Sequence, residues 1–484
     1  MVLLFGVSLS ACAVGPDYMS PSIDLPSHWA NAKPAKAGKT ASLARWWRRL
    51  NDPVLDELIR RAVQGNLDVA SAKARIREAR ATRRQAIGAL FPAITGSGSA
   101  SRARTAASVS NGVTVPPSIG NLFKSGFDAS WELDLFGANK RSVEAATYGV
   151  DAAKDDLRAT LVTLIGDVAS NYAEARGYQA QISLARRTAA SQRETYSLTQ
   201  KKYEVGSASK VDVAKAGAQT ATTEADIPTY QAGYATDVHK LSILLGLPPA
   251  SLSRLMARTK PIPTPRLPLP ARIPADVLTS RPDVRKAERQ LAQYTAKIGE
   301  AEAALYPDIS LTGAVSTNAT KIGDLGKNSS IGWSLGPTLS VPIFNAGKLR
   351  AAVEVAQARR DQYYVAWRSA VLTALEDVED ALVSLSHERT KEKRLAEAAR
   401  QYREAAKLSR TLYQTGTQSF LDVLDAERSL YSAEDSLLKS RVAIAKDYIA
   451  LAKALGGGWN GKIDSSKPEV VDVNTGPHLY RWRR

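Results

Sequence analysis

Large apolar residues alternate with polar ones in two separate stretches of the chain. In the first, the apolar positions are Phe123, Phe127, Trp131, Leu133 and Leu135, with Lys124, Asp128, Glu132 and Asp134 between them. The second repeats the alternation with Trp333, Leu335, Leu339, Val341 and Ile343, beside a partner stretch with Ile309, Leu311 and Val315. This period predicts strands with one apolar and one polar face. A soluble sheet on a core is the commoner structure with such strands, and a membrane barrel is the rarer one.

Very long helices are predicted after both stretches, at about 142–202 and 349–412. Neither range contains proline, and at ~1.5 Å per residue each helix would extend about 90 Å. The heptad positions are Leu157, Leu161, Leu164 and Val168 in the first and Val371, Leu375, Val378, Leu382 and Leu385 in the second. This spacing indicates coiled-coil packing. A further helix is predicted from about Val54 to Leu90, before Pro92.

Each long helix is followed by the signals of a tight turn and a returning helix. Gly206 and Gly416 are placed where a left-handed cap ends a helix. The next helices open with apparent capping boxes, which are Ser209-x-x-Asp212 and Ser419-x-x-Asp422. The sequence therefore predicts two helical hairpins, whose returning helices span about 209–245 and 419–455.

The two halves of the chain share these motifs at an offset of about 210 residues, which indicates a duplicated folding unit. The predicted divisions are a signal peptide (1–11), an extended arm (12–53), repeat 1 (54–250), a proline-rich linker (251–275), repeat 2 (276–456) and a polar tail (457–484). Each repeat holds a helix, two strands, a long helix and a second helix.

Composition excludes several functions. The 484 residues are 44% apolar, which argues against general disorder. The net charge of +17 is spread along helical stretches among acidic residues, so we expect no nucleic-acid partner. The four histidines are scattered, and Walker, dinucleotide and nucleophile motifs are missing from the sequence. We therefore expect no enzyme activity, no metal and no cofactor.

A short apolar run precedes the single cysteine, Cys12. The run is too short to span a bilayer and is typical of a signal peptide. Leu9-Ser10-Ala11-Cys12 resembles a bacterial lipobox, in which Cys12 would carry a covalent lipid. No Lys or Arg precedes the run, so we expect the true signal peptide to begin upstream of Met1.

A family resemblance is carried by motifs along nearly the whole chain. These are Cys12 with Gly15-Pro16-Asp17-Tyr18, Trp46-Trp47 with Asp52-Pro53-Val54-Leu55, Arg281-Pro282-Asp283-Val284, Gly336-Pro337 to Gly347-Lys348, and Tyr413-x-x-Gly416 with the run from Leu421 to Arg428. Together they resemble a TolC-type outer-membrane factor of the NodT lipoprotein group.

The resemblance implies a mainly helical fold with a membrane β-barrel portion. Three chains would give four strands each to a 12-stranded barrel, continued by a periplasmic coiled-coil tunnel. The residues that would face outer-membrane lipid are Phe123, Phe127, Trp131, Leu133, Trp333 and Leu335. The hairpin tips, with Tyr203, Gly206, Tyr413 and Gly416, would contact a periplasmic adaptor protein.

The resemblance also implies a gate at the tips. By position, Leu421 and Asp425 would constrict the tunnel, with Arg428 and Tyr413 as restraining partners. Lys215 and Val211 occupy the equivalent positions of the first copy. We therefore expect Asp425 to pair with Lys215 of a neighbouring wedge and hold the tip shut.

The function expected from this resemblance is passive export. The homotrimer would be the outer-membrane exit duct of a tripartite pump, carrying small molecules such as drugs or solvents once an adaptor and an inner-membrane pump open it. Two alternatives remain open at this point: a duct for type I-like secretion and a lipid-anchored periplasmic coiled-coil scaffold.

Overall fold

The computed structural model describes residues 13–30, 43–110, 113–265, 277 and 281–466, except for the side chains of 108–110 and 113–115. The predicted signal peptide, Cys12, part of the linker and the end of the tail lie outside the described residues. In the part of the chain that is described, no helix combines the length and the apolar character needed to cross a membrane.

Both halves contain helices, strands and a long helical hairpin. In chain order, the first half has α1 (Pro53–Gly65), α2 (Leu67–Gly88), β1 (Ala93–Thr105), β2 (Ser108–Ser110), β3 (Val113–Val115), β4 (Ser118–Glu132), α3 (Ala138–Glu204), α4 (Lys210–Leu244) and α5 (Ser253–Met256). The second half has α6 (Pro282–Ala303), β5 (Asp308–Ala319), β6 (Ile331–Ser340), α7 (Lys348–Thr415) and α8 (Phe420–Ala454). Short 3-10 turns occupy Trp46–Leu50, Ile322–Asp324 and Asn328–Ser330.

The single helix predicted from Val54 to Leu90 is wrong, because the structure divides it at Asn66. The Asn66 side-chain oxygen accepts hydrogen bonds from the backbone N–H groups of Asp68 and Val69, at 2.9 and 3.0 Å. Its amide nitrogen donates to the Leu244 carbonyl at 3.0 Å. Asn66 therefore caps α2 and ties it to the end of α4.

The second copy uses an arginine at the corresponding place. Arg281 precedes α6, and its guanidinium donates to the carbonyl of Ala454 at the end of α8 and to the Asp377 carboxylate, at 3.1 and 2.9 Å. In both repeats, the helix before the strands is thus tied to the end of the returning helix of the hairpin, α2 to α4 and α6 to α8, by different side chains.

The chain divides into two compact units, of which the first contains the sheet. This unit consists of the described parts of Met1–Ser22, Ile76–Ala153 and Lys286–Arg368. Its antiparallel strands follow the order β1-β4-β5-β6. A separate two-stranded ribbon pairs β2 with β3.

Both predicted alternating stretches run past the end of the sheet. Strand β6 ends at Ser340, so the prediction is wrong for Val341 and Ile343, and it is wrong for Leu133 and Leu135 after β4. Strand β4 ends at Glu132, so Leu133 is not a strand residue, although its N–H still donates to the Ile309 carbonyl at 2.8 Å. The chain turns here because the Asp134 carboxylate accepts bonds from the N–H groups of Asn139 and Lys140 at the start of α3. Leu133 is consequently half-buried beside the turn.

The second unit contains the hairpins and an aromatic core. It consists of the described parts of Ile23–Arg75, Lys154–Arg285 and Ser369–Arg484. Trp46 and Trp47 are both buried, and Trp459 stacks on Trp47 with ring centroids 6.2 Å apart. The fully buried Arg176 donates to the carbonyls of Met256 and Arg258, which fixes the chain after α5 to α3.

Candidate functional site

Both hairpins turn through a glycine in the left-handed region. Gly206 has φ +75° and Gly416 has φ +86°. The following residues, Ser207 and Thr417, donate their N–H groups to the carbonyls of Lys202 and Leu412, at 2.7 and 2.9 Å. These bonds satisfy carbonyls that the helix ends leave free, and glycine adopts this conformation without a Cβ clash.

Capping boxes open both returning helices, as the sequence predicts. In the first tip the Asp212 N–H donates to Ser209 Oγ at 3.1 Å, and the Ser209 N–H donates to the Asp212 carboxylate at 3.0 Å. Ser419 and Asp422 form the same reciprocal pair in the second tip. Each tip is therefore a defined turn between two stable helix ends.

The two tip tyrosines lie in different environments. Tyr203 is 44% exposed, whereas Tyr413 is 4% exposed. The Tyr413 ring packs edge-on against Phe420, and its hydroxyl donates to Thr199 Oγ1 at 3.1 Å. The Tyr413 ring therefore fills the space between the two hairpins, and only Tyr203 is exposed at its tip. Contact of either tip with an adaptor stays a prediction.

The predicted gate residues share one surface of α8. Leu421, Asp425 and Arg428 recur at helical spacing and are all exposed, while the buried residues of this segment lie on the opposite face. Lys215 is exposed on α4. Within the described residues, neither Asp425 nor Lys215 makes a hydrogen bond or an ion pair. Pairing between copies of the chain therefore stays a prediction.

A partly buried set of polar contacts joins the two hairpins behind these residues, and sequence reasoning missed it. Glu427 of α8 is 6% exposed and accepts hydrogen bonds from Arg410 at 2.6 Å and from Thr195 of α3 at 2.9 Å. Further along, the Tyr431 hydroxyl donates to the Asp226 carboxylate of α4 at 2.8 Å. Burial, and then this bond, raise the pKa of Tyr431 above its ordinary value.

The signal that could have revealed these contacts is a carboxylate on the apolar face of a helix. Phe420, Val423 and Glu427 follow the spacing of one buried face. A buried carboxylate needs a hydrogen-bonding or charged partner. Among the described residues, no group of three or more His, Cys, Asp or Glu is arranged to hold a metal ion.

The sheet has one apolar and one polar face. Directly opposed residues of antiparallel strands point to the same side. One such row across the four strands is Gly96, Phe127, Val315 and Trp333. The adjacent row, on the other face, is Thr95, Asp128, Ala314 and Ser334. Phe123, Trp131 and Leu335 lie on the apolar face, as the sequence predicts.

The apolar face is exposed in this chain. Trp333 is 78% exposed and Phe127 is 66% exposed. Trp131 is half-buried at the helical end of the sheet, and its indole N–H donates to the Leu90 carbonyl at 3.0 Å. A soluble sheet buries its apolar face against a core, so this surface argues against the soluble alternative.

The described arm after Cys12 binds to the start of α3. The Val14 N–H donates to the Phe136 carbonyl at 3.1 Å. The buried Arg141 side chain donates to the carbonyls of Val14 and Gly15, both at 3.0 Å, and forms an ion pair with Asp17 at 2.8 Å. These contacts hold residue 14 beside the turn that follows β4. The lipidation predicted at Cys12 itself lies outside the described residues.

A sheet with an exposed apolar face and paired coiled-coil hairpins are features of an outer-membrane channel. The family model "Outer membrane efflux protein" matches residues 58–247 and 273–457. The chain belongs to this family, whose members are outer-membrane transport channels with a periplasmic tunnel.

Known relatives match along nearly the full chain. Nodulation protein T of Rhizobium leguminosarum bv. trifolii is 35% identical, over 94% of this chain and 96% of its own. The toluene efflux pump outer membrane protein TtgC of Pseudomonas putida is 32% identical, over 93% of both chains. The solved structure of the outer-membrane channel OprN superposes with a TM-score of 0.86 at 33% identity, covering 93% of this chain and all of that one.

Proposed function

We propose that this chain is the outer-membrane exit duct of a tripartite efflux system and passes small molecules such as drugs or solvents. The exposed apolar face of the sheet carries this proposal. Each Å² of apolar surface moved from water into lipid is worth about 25 cal/mol, so side chains such as Trp333 and Phe127 favour membrane insertion strongly. The polar face, with Asp128 and Ser334, would then line the lumen.

A trimer is the assembly that we propose. Strands β1 and β6 form the two edges of the four-stranded sheet. In a bilayer, unpaired strand edges are not tolerated, because their N–H and C=O groups find no water. Three copies of the sheet close into a twelve-stranded barrel, in which β1 of one copy pairs with β6 of the next. The duplicated hairpins then supply six similar wedges around the tunnel axis.

A lipid on Cys12 would anchor the same molecule, and no other cofactor is needed. Arg141 fixes Val14 and Gly15 at the helical end of the sheet, near the aromatic side chains of Phe136 and Tyr306, whose rings stack at 4.7 Å. Aromatic residues at such a position favour the membrane–water interface. An acyl chain two residues before Val14 is therefore well placed to enter the inner leaflet.

The hairpin tips are the proposed docking surface for a periplasmic adaptor. Tyr203 and the flanking Val205 expose apolar surface at the first tip. Gly206 and Gly416 hold the two turns in shape, so the tips offer a defined contact to a partner. The adaptor in turn would link the duct to an inner-membrane pump, which supplies the energy that the duct lacks.

The tips also carry the proposed gate. Leu421 and Asp425 would narrow the closed tunnel, and Asp425 would pair with Lys215 of a neighbouring copy. Arg428 lies on the same face as Asp425 and would restrain it. In the trimer, three such contacts hold the closed state, and adaptor binding would separate them.

The two alternative functions, a type I-like secretion duct and a lipid-anchored scaffold, are less well supported. A type I-like secretion duct would have the same barrel, and the efflux names of relatives such as TtgC favour small-molecule cargo instead. A lipid-anchored scaffold is disfavoured by the exposed apolar face. The Cys12→Ser protein distinguishes the last case: a scaffold without its lipid becomes water-soluble, whereas a barrel stays in the membrane fraction.

Neighbouring residues on opposite faces provide a sharp test of membrane insertion. We expect Trp333→Arg to reduce the assembled trimer strongly, because an arginine at the lipid-facing midplane of a barrel costs about 2–4 kcal/mol. Ser334→Arg, one residue further along β6, should be tolerated because it faces the lumen. The measurement is the amount of heat-modifiable trimer in outer-membrane fractions. Equal loss in both variants would contradict the assignment of faces.

A further inference from the structure

Two arginines extend the lipid-facing side of the sheet beyond its apolar band. Arg102 lies opposite Asn121, and Arg104 lies opposite Ile119. Asn121 and Ile119 are separated from Phe123, Phe127 and Trp131 by even numbers of residues along β4, so all five point to the same face. Both arginines, which lie opposite Asn121 and Ile119, therefore point to the face of the aromatic residues. Both arginines are exposed, and within the described residues neither makes a hydrogen bond or an ion pair.

The register gives the height of the arginines above the helical end of the sheet. Asn121, opposite Arg102, is ten residues from Trp131 along β4. At ~3.3 Å per residue and a strand tilt of about 40°, this separation is about 25 Å along the barrel axis. That is the typical height of the apolar band of an outer-membrane barrel. Arg102 thus lies at the outer edge of the band, and Arg104 lies just above it.

The ladder between β4 and β5 ends below this level. Its last pair on that side joins Phe123 to Ala319. Strands β1 and β4 therefore stay paired with each other beyond the end of β5. Arg102 and Arg104 are exposed on the outward face of this hairpin. A cation at this depth costs free energy unless an anion meets it, and a guanidinium binds phosphate oxygens in a two-point geometry.

We infer that Arg102 and Arg104 form a binding site for the phosphate groups of an anionic lipid in the outer leaflet. This inference rests on the proposed barrel. The two side chains are about 7 Å apart along one face of a strand, so together they can hold one doubly phosphorylated headgroup or two adjacent ones. A soluble acidic partner fits less well, because the lipid-facing side of a barrel is surrounded by membrane at this height.

Lipid binding by the purified trimer in mild detergent tests this site. The probe is lipid A carrying two phosphates, compared with the same lipid after removal of its phosphates. Binding of the phosphorylated probe should weaken about ten- to a hundredfold in the Arg102→Gln/Arg104→Gln variant, because two charge-assisted contacts are lost. The Arg102→Lys/Arg104→Lys variant should retain part of the affinity.

Arg83→Gln/Arg84→Gln is the matched control, since it removes two exposed charges from α2. It should bind the probe as the wild type does. Wild-type affinity in the Arg102/Arg104 variant would overturn the site, as would equal binding of the dephosphorylated lipid or equal loss in the control. A heat-modifiable trimer must be present in every sample; if the wild type forms none, the proposed barrel fails rather than the lipid site.

Discussion

Asp237 is a buried carboxylate near the end of α4 with an incomplete set of partners. It is 3% exposed, and in the described part of the chain its Oδ2 atom lacks a hydrogen-bond partner. Burial, and then the charge of Glu174, raise its pKa to about 6, although Lys240 and Lys446 oppose the change. The folded chain therefore binds this proton more tightly than the unfolded chain does.

The raised pKa of Asp237 predicts a stability that falls with increasing pH. The stabilising contribution is full below about pH 4, the pKa of an unfolded aspartate, and is lost as the pH rises through about 6. Asp237→Asn should remove this dependence and leave the protein more stable than the wild type at pH 8 by about 1–3 kcal/mol. Thermal unfolding between pH 4 and 8 measures it.

Asp361→Asn is a suitable control for that experiment because Asp361 is exposed on α7. It should keep the pH response of the wild type. If Asp237→Asn keeps the same response too, the assignment to Asp237 is wrong.

At the residue scale, sequence predicts what depends on local backbone chemistry. The glycine caps at 206 and 416 and the Ser209 and Ser419 capping boxes are all in the structure, because each needs only its own turn. The environments of Tyr203 and Tyr413 could not be predicted, since the two share a motif. Tyr413 packs in a cluster with Phe420, for which the first copy has Lys210.

At the element scale, the two hairpins of the chain are joined by side chains as well as by apolar packing. Glu427 accepts from Arg410 within its own hairpin and from Thr195 of the other one. A buried carboxylate that loses its partner is poorly solvated, and this raises the free energy of the folded chain. Removing Arg410 should therefore destabilise the hairpin pair.

Arg410→Ala should loosen the two hairpins. We expect a loss of about 1–3 kcal/mol, since Glu427 keeps only the hydroxyl of Thr195. Hydrogen exchange of the α8 amides near Glu427 should accelerate. The control is Arg400→Ala, which removes an exposed ion pair with Glu397 on α7, the helix that also carries Arg410, and it should change this exchange little. Unchanged exchange in the Arg410 variant would show that the pair is not a stabilising link.

Long periodic segments are the elements that sequence predicts best. The two long helices begin and end within a few residues of their predicted limits, because heptads and glycine caps define them. The division of the first helix at Asn66 has a local signal that the prediction missed, because an asparagine after Gly65 can cap a new helix. The bond from Asn66 to the distant Leu244 carbonyl could not be predicted. The end of β4 before Leu133 likewise depends on how Asp134 caps α3.

At the scale of the whole molecule, duplication would give the proposed trimer six similar wedges, and the differences between the two repeats would reduce its symmetry to threefold. Alternation alone did not distinguish a soluble sheet from a barrel, because both have an apolar face. The exposure of Trp333 and Phe127, which only the folded chain reveals, and the family match resolve that choice. The gate residues stay a prediction, because the pairing proposed for them would join different copies of the chain.

Asp425→Ala tests the gate in the assembled trimer. Three symmetric pairs with Lys215, each worth about 0.5 kcal/mol, would change the closed-to-open equilibrium about tenfold. The variant should therefore spend about tenfold more time open in planar bilayers. Glu404→Ala, which removes an exposed charge from α7, should behave as the wild type does. An unchanged closed state in the Asp425 variant would exclude its role in gating.

The most direct test of the proposed duct is electrical recording from the purified Cys12→Ser protein in a planar bilayer. Because we propose that the barrel, rather than a lipid on Cys12, holds the molecule in the membrane, the protein should insert without an acyl chain. We predict discrete, ohmic conductance steps from single trimers. A protein that dissolves without detergent and produces no conductance steps would contradict the account.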